Sequence, residues 1–184
     1  MNEGKKQQRD FDEIQTPKYA VDALLKIVDV DGKIVWEPTA DRTSNGIVQS
    51  VEENGGTAKI SRVKNFDFIS HEPDVGDFDI IITNPPYSKK NEFIRRCYEI
   101  GKPFAILLPI TSLETSIRGK MFRENGVQLL VLDRRVNFTG GKGSWFNVSW
   151  FCWNLLPRDL MFTELKVVDR DVLFKRERIS QVWD

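Results

Sequence analysis

The apolar run inside DFDIIIT, residues 77–83, is continuous and not alternating. A strand built that way suits a sheet covered on both faces, and PFAILLPI at 103–110 repeats the pattern. KIVW at 33–36, TAKISRV at 57–63, VQLLVLD at 127–133 and FNVSWFCWNL at 146–155 read as further strands. Between them lie segments with helical spacing. TPKYAVDALLKIV places Tyr19, Ala20, Ala23, Leu24 and Ile27 on one face. Thr16 stands where an N-cap belongs, with Pro17 at the first helical position. SNGIVQSVEENGG closes on Gly55 and Gly56, SKKNEFIRRCYEIG stops at Gly101, and LETSIRGKMFRENG makes a weaker helix. This alternation predicts an α/β fold with a doubly wound, mostly parallel sheet. The last two strands are joined by RRVNFTGGKGSW without a helix, so a reversed strand is expected at the end of the order.

The chain of 184 residues is long enough for one domain with a full core, and 40% of it is hydrophobic. Residues 1–13 read as a loose polar arm and 14–184 as a single domain. Lys plus Arg and Asp plus Glu number 27 each, which argues against coating nucleic acid by bulk attraction but allows a local basic patch. Cys97, Cys152 and the lone His71 form neither a disulfide framework nor a metal site, so no metal and a reducing compartment are expected. No apolar run reaches membrane-spanning length, and the N-terminus is no secretory signal. A cytoplasmic location follows, that of the host cell if the chain is phage-encoded.

Asn84, Pro85, Pro86 and Tyr87 directly follow the strand in DFDIIIT. Ligands of open α/β sheets sit beyond the carboxyl ends of strands, and this stretch falls at such an end. Its chemistry suits methylation of an amino group attached to a conjugated ring. That nitrogen is a poor nucleophile, because its lone pair is spread into the ring. Two acceptors on its two N–H bonds help to localise the pair. The Asn84 side-chain oxygen is one, and the Pro85 carbonyl is the second. The prolines fix the backbone and bring no competing N–H. Tyr87 supplies a flat face for stacking an extruded base, worth about 1–3 kcal/mol. An ordinary proline-rich turn is the plain alternative.

The Asn-Pro-Pro-Tyr stretch in this setting resembles the S-adenosylmethionine-dependent amino-methyltransferases, especially the adenine-specific DNA enzymes. TPKYAVDALL resembles the segment before their first strand, where Thr16 and Pro17 would approach the methionine part of the cofactor. VWEP resembles the end of that strand, with Glu37 as its acidic residue and Pro38 following. In NFDF, Asp67 would take the cofactor's adenine amino group, beside Phe68. GKPFAILLP and DRRVNF are similar to segments of a compact subgroup found in phages and large viruses. The resemblance spans about residues 14–156 and implies S-adenosylmethionine as cofactor and DNA as substrate. RNA adenine is a close variant, and a protein glutamine amide a more distant one.

Two segments depart from that family's pattern. EPTADRTSNGI puts Asp41 where a glycine is expected and keeps only Gly46, and KISRV offers Ser61 and Arg62 in place of an acidic residue for the ribose. A methyltransferase-shaped binding protein without catalysis is therefore the rival reading. Lys89, Lys90, Arg134, Arg135 and Lys142 are the candidate phosphate contacts, with solvated surface as the alternative for each. TGGKGSW reads equally as a nucleic-acid loop or a hairpin turn, and TSLETSIRGK as a substrate cover or a routine connection. Trp36, Trp150 and Trp153 read as core. With no separate recognition domain, a short target, a protein partner or a second copy of the chain is expected.

Overall fold

A computed structural model describes residues 16–40, 46–61, 68–70, 76–138 and 147–166. The elements in chain order are α1 (Lys18–Leu25), β1 (Ile34–Glu37), α2 (Gly46–Glu53), β2 (Thr57–Ile60) and β3 (Ile80–Thr83). A single 3₁₀ turn, Tyr87–Lys89, leads into α3 (Lys90–Ile100), then β4 (Phe104–Pro109) and a second turn, Ile110–Leu113. α4 (Ser116–Asn125), β5 (Gln128–Leu132), β6 (Val148–Trp153) and β7 (Leu160–Thr163) complete the order.

Among the described residues the sheet has seven strands in the order β2-β1-β3-β4-β6-β5-β7. β6 alone runs against its neighbours; the other strand pairs are parallel. The reversed strand expected at the end of the order is thus an inner strand, wedged between β4 and β5. Its burial explains the position, since Val148 to Cys152 are all buried and such a strand needs cover on both faces and both edges. β7 was not expected from the sequence. It pairs parallel with β5 at the sheet edge and leaves Leu160 and Phe162 exposed.

The pleat divides each inner strand between two cores. Ala105 and Leu107 of β4 pack with Ala20, Leu24, Ile47 and Val51 of α1 and α2. Phe104, Ile106 and Leu108 face the other way, with Phe93, Ile94 and Cys97 of α3. Helices therefore cover both faces, as the continuous apolar runs require. Trp36 and Trp150 are fully buried, and the Trp150 indole donates to the Ala20 carbonyl at 2.9 Å; Trp153 is half-buried. Cys97 and Cys152 are both free and buried.

Thr16 does not cap α1. The helix starts at Lys18, Pro17 is the capping residue, and no side chain caps it. Thr16 is buried instead, under the start of α2. A Cβ at Gly46 would lie 2.2 Å from the Thr16 carbonyl oxygen and 2.6 Å from the Lys18 nitrogen. Only glycine allows that approach, which brings the Thr16–Pro17 segment against the α2 N-terminus. Gly101 closes α3 in the left-handed region at φ 71°. No described helix is long and apolar enough to cross a membrane, and no described cluster of His, Cys, Asp and Glu could hold a metal.

Candidate active site

β1, β3 and β4 are adjacent and parallel, so their carboxyl ends form one edge. β1 ends in Glu37, and β3 in Thr83, followed by Asn84. Glu37 and Thr83 are buried at 1% and 0% exposure. Glu37 Oε1 accepts from the Thr39 backbone N–H at 2.8 Å, the Thr39 hydroxyl at 2.7 Å and the Thr83 hydroxyl at 2.8 Å. A carboxylate out of water is disfavoured, and burial pushes the Glu37 carboxyl up to about 7 although those three donors pull it down. The network joins the ends of β1 and β3 directly beside Asn84.

The Asn84 side-chain oxygen is shielded from solvent and has no hydrogen-bond partner among the described residues. Leaving a buried acceptor unsatisfied costs about 1–3 kcal/mol. Such groups are rare, and a role in a reaction is one reason to keep one. Pro85 is buried, whereas Pro86 and Tyr87 are half-buried. Tyr87, three residues beyond Asn84, packs against both core clusters, which holds its ring in place. Its carbonyl accepts from the Lys90 ammonium at 2.9 Å.

Thr16, Pro17, Glu37, Pro38 and Gly46 lie in described segments, and Gly46 sits against Thr16 and Lys18, on either side of Pro17, at the α2 N-terminus. Phe68 is buried in an aromatic cluster, edge-on to Trp36 at 5.2 Å and stacked on Phe93 at 4.8 Å. Asp41, Asp67 and Lys142 lie outside the described residues. Lys89 and Arg134 are exposed, and Arg135 is exposed with its Nε donating to Asn147 Oδ1 at 3.0 Å. Arg134 and Arg135 follow β5, which runs parallel to β7 and antiparallel to β6, in the direction of β4. They thus leave the sheet on the same edge as Asn84. Lys90 is held to the Tyr87 carbonyl and is half-buried.

Sequence reasoning missed Thr83 and Thr39, the donors that hold Glu37. A threonine closing the run Ile80–Ile82 was a legible sign for Thr83, because a buried hydroxyl needs a partner.

No protein-family model matches the chain, and no curated protein matches it. Solved structures do. One is the methyltransferase subunit of a type I restriction-modification system from Streptococcus thermophilus, with TM-score 0.54 and 14% identity over 83% of this chain and 47% of that one. Another is assigned as a class I S-adenosylmethionine-dependent methyltransferase from Listeria monocytogenes, with TM-score 0.52 and 14% identity over 89% of this chain and 70% of that one. The fold is that of the class I methyltransferases. The chain spans about half the length of the Streptococcus subunit.

Proposed function

We propose that this chain transfers a methyl group from S-adenosylmethionine to the exocyclic amino group of adenine in DNA. The observation that carries the reading is the Asn84 side-chain oxygen, buried, without a partner among the described residues and directly following Thr83 of the Glu37–Thr83 network. An amino group entering there offers the donor that the oxygen lacks. The Pro85 carbonyl is the second acceptor, and Tyr87 stacks the base, which must leave the duplex at a cost of a few kcal/mol. With both N–H bonds accepted, the lone pair is held at nitrogen for attack. The additional proton departs to solvent after transfer, so no side chain need act as a general base.

The residues fit the cofactor. When bound, S-adenosylmethionine supplies an electrophilic methyl carbon on a cationic sulfur. Glu37 is a buried carboxyl at the end of β1 with no cation beside it among the described residues, and it suits the positive end of that molecule. Thr16, Pro17 and Gly46 bring backbone close to the same edge. Asp41 and Asp67 are the further candidates for the cofactor. Lys89, Lys90, Arg134 and Arg135 provide charge for phosphates, and Lys142 is a further candidate.

The test is transfer of labelled methyl groups to DNA, with N6-methyladenine as the expected product. Label appearing only in RNA or protein would move the substrate class. The cofactor is checked separately. At about 100 times its Kd, a ligand of the folded state adds about 2.7 kcal/mol of stability. The melting temperature should therefore rise with S-adenosylmethionine or its demethylated product. A flat response to both would sink the enzyme reading and favour a fold kept for its surface.

The phosphate contacts give a further expected result. Log affinity for DNA falls linearly with log salt, and each of Lys89, Arg134 or Arg135 changed to Ala should lower the slope by about one. Binding measured from low to moderate salt decides this. An unchanged slope in all three variants removes them from the interface.

A further inference from the structure

We propose that Arg118, acting through Asn91, is a positioning residue that braces the downstream side of the Asn84–Tyr87 stretch; this rests on the methyl-transfer reading. Arg118 lies in the first turn of α4, behind the Thr115 cap, and is only 4% exposed. Its Nε donates to the Ser112 carbonyl, and its Nη1 donates to Asn91 Oδ1 at 2.7 Å. Among the described residues no carboxylate pairs with it. Burial lowers its pKa from the ordinary arginine value, as expected for a cation taken out of water without a counter-charge.

An apolar side chain of similar volume would avoid that desolvation, and replacing buried charges this way is often neutral or stabilising. What an apolar residue could not do is hold the two acceptors. They belong to different segments. Ser112 lies in the turn after β4, and Asn91 lies in the first turn of α3, four residues beyond Tyr87. β3 and β4 are neighbours, so the brace ties together the chain leaving each strand. The candidate site is then held from both sides by polar contacts. Upstream, Thr83 binds Glu37 Oε1. Downstream, Arg118 binds Asn91. Between them Lys90 closes onto the Tyr87 carbonyl at 2.9 Å. A nucleophile must be aligned with the methyl it attacks, and a shift of about 1 Å can lower the rate about 100-fold.

The experiment compares the parent chain with Arg118→Met, Asn91→Ala, the double variant and Arg118→Lys. Single-turnover methyl transfer is measured at saturating cofactor and DNA, alongside hydrogen exchange of the amides at 87–93 without ligands. Each apolar variant should slow transfer about 10- to 100-fold, and the double variant should be no slower than the worse single. Exchange should quicken at 87–93 while β3 and β4 stay protected. Arg118→Lys, which keeps the charge and one donor, should recover part of the rate. An unchanged rate in folded Arg118→Met overturns the proposal. So does faster exchange throughout the fold with the rate tracking the folded fraction, which would make Arg118 a stability residue alone. If Arg118→Met does not fold, Asn91→Ala decides, because it removes the acceptor and leaves the guanidinium in place. A parent chain that transfers no methyl to any acceptor overturns the functional reading and this inference together. An active parent with unaffected variants overturns this inference alone.

Discussion

Asn84→Ala is expected to slow methyl transfer by about 2–4 kcal/mol in barrier, roughly 30-fold to a thousandfold, by analogy with the loss of one oriented polar group. Stability should move the other way or not at all. The Asn84 oxygen is buried and accepts no hydrogen bond from the described residues. Removing an unsatisfied buried acceptor relieves a penalty of about 1–3 kcal/mol, which offsets the packing lost with the side chain. Cofactor affinity should change little, because the role proposed for the acceptor is toward the substrate amine. Rate down with stability level is a signature that a core residue cannot give. Single-turnover transfer, thermal melting and cofactor titration measure the three quantities. Equal rates in variant and parent would remove Asn84 from the reaction, and a rate loss matched by unfolding would make it structural.

Much of this arrangement was legible in the sequence because the deciding signals are local. A continuous apolar run marks a strand buried on both faces, and Ile80–Ile82 and Phe104–Leu108 are buried throughout. The Asn-Pro-Pro-Tyr stretch follows β3 directly, so finding the strand placed the candidate site. Glycine at position 101 ends α3 as expected. What was not legible depends on partners distant in the chain. The place of β6 between β4 and β5 is fixed by pairings such as Ala105 with Cys152 and Leu130 with Trp150, and no local pattern encodes those registers. β7 is four residues long with alternate side chains exposed, too short for periodicity to separate it from a loop. Gly46 was read as part of a cofactor loop, and its neighbour 30 residues upstream supplies a packing reason for the glycine as well. Arg118 and Asn91 look like ordinary polar positions on two helices, and only the crossing of those segments joins them.

Glu37 carries a conflict between stability and function that pH should expose. Its carboxyl stands at about 7 in the fold, against an ordinary value of 4.5, because burial outweighs three hydrogen-bond donors. The folded state therefore holds a proton that the unfolded chain gives up between those two values. The stabilisation is fully present below about 4.5 and is lost as pH rises through about 7. At 1.36 kcal/mol per pKa unit, the ionised residue makes the fold about 3 kcal/mol weaker at pH 8 than in acid. Glu37→Gln keeps an oxygen to accept from Thr39 and Thr83 and carries no charge. The difference in unfolding free energy, variant minus parent, should be small near pH 4.5 and rise to about 3 kcal/mol in favour of the variant at pH 8. Denaturant melts across that range measure it, and a difference that stays flat with pH would refute the buried ionisation. Cofactor binding should show the opposite preference. A cation at Glu37 favours the carboxylate, so affinity of the parent for S-adenosylmethionine should increase between pH 6 and 8. Glu37→Gln should lose both that increase and much of the affinity, giving a variant that is more stable at neutral pH and binds its cofactor worse.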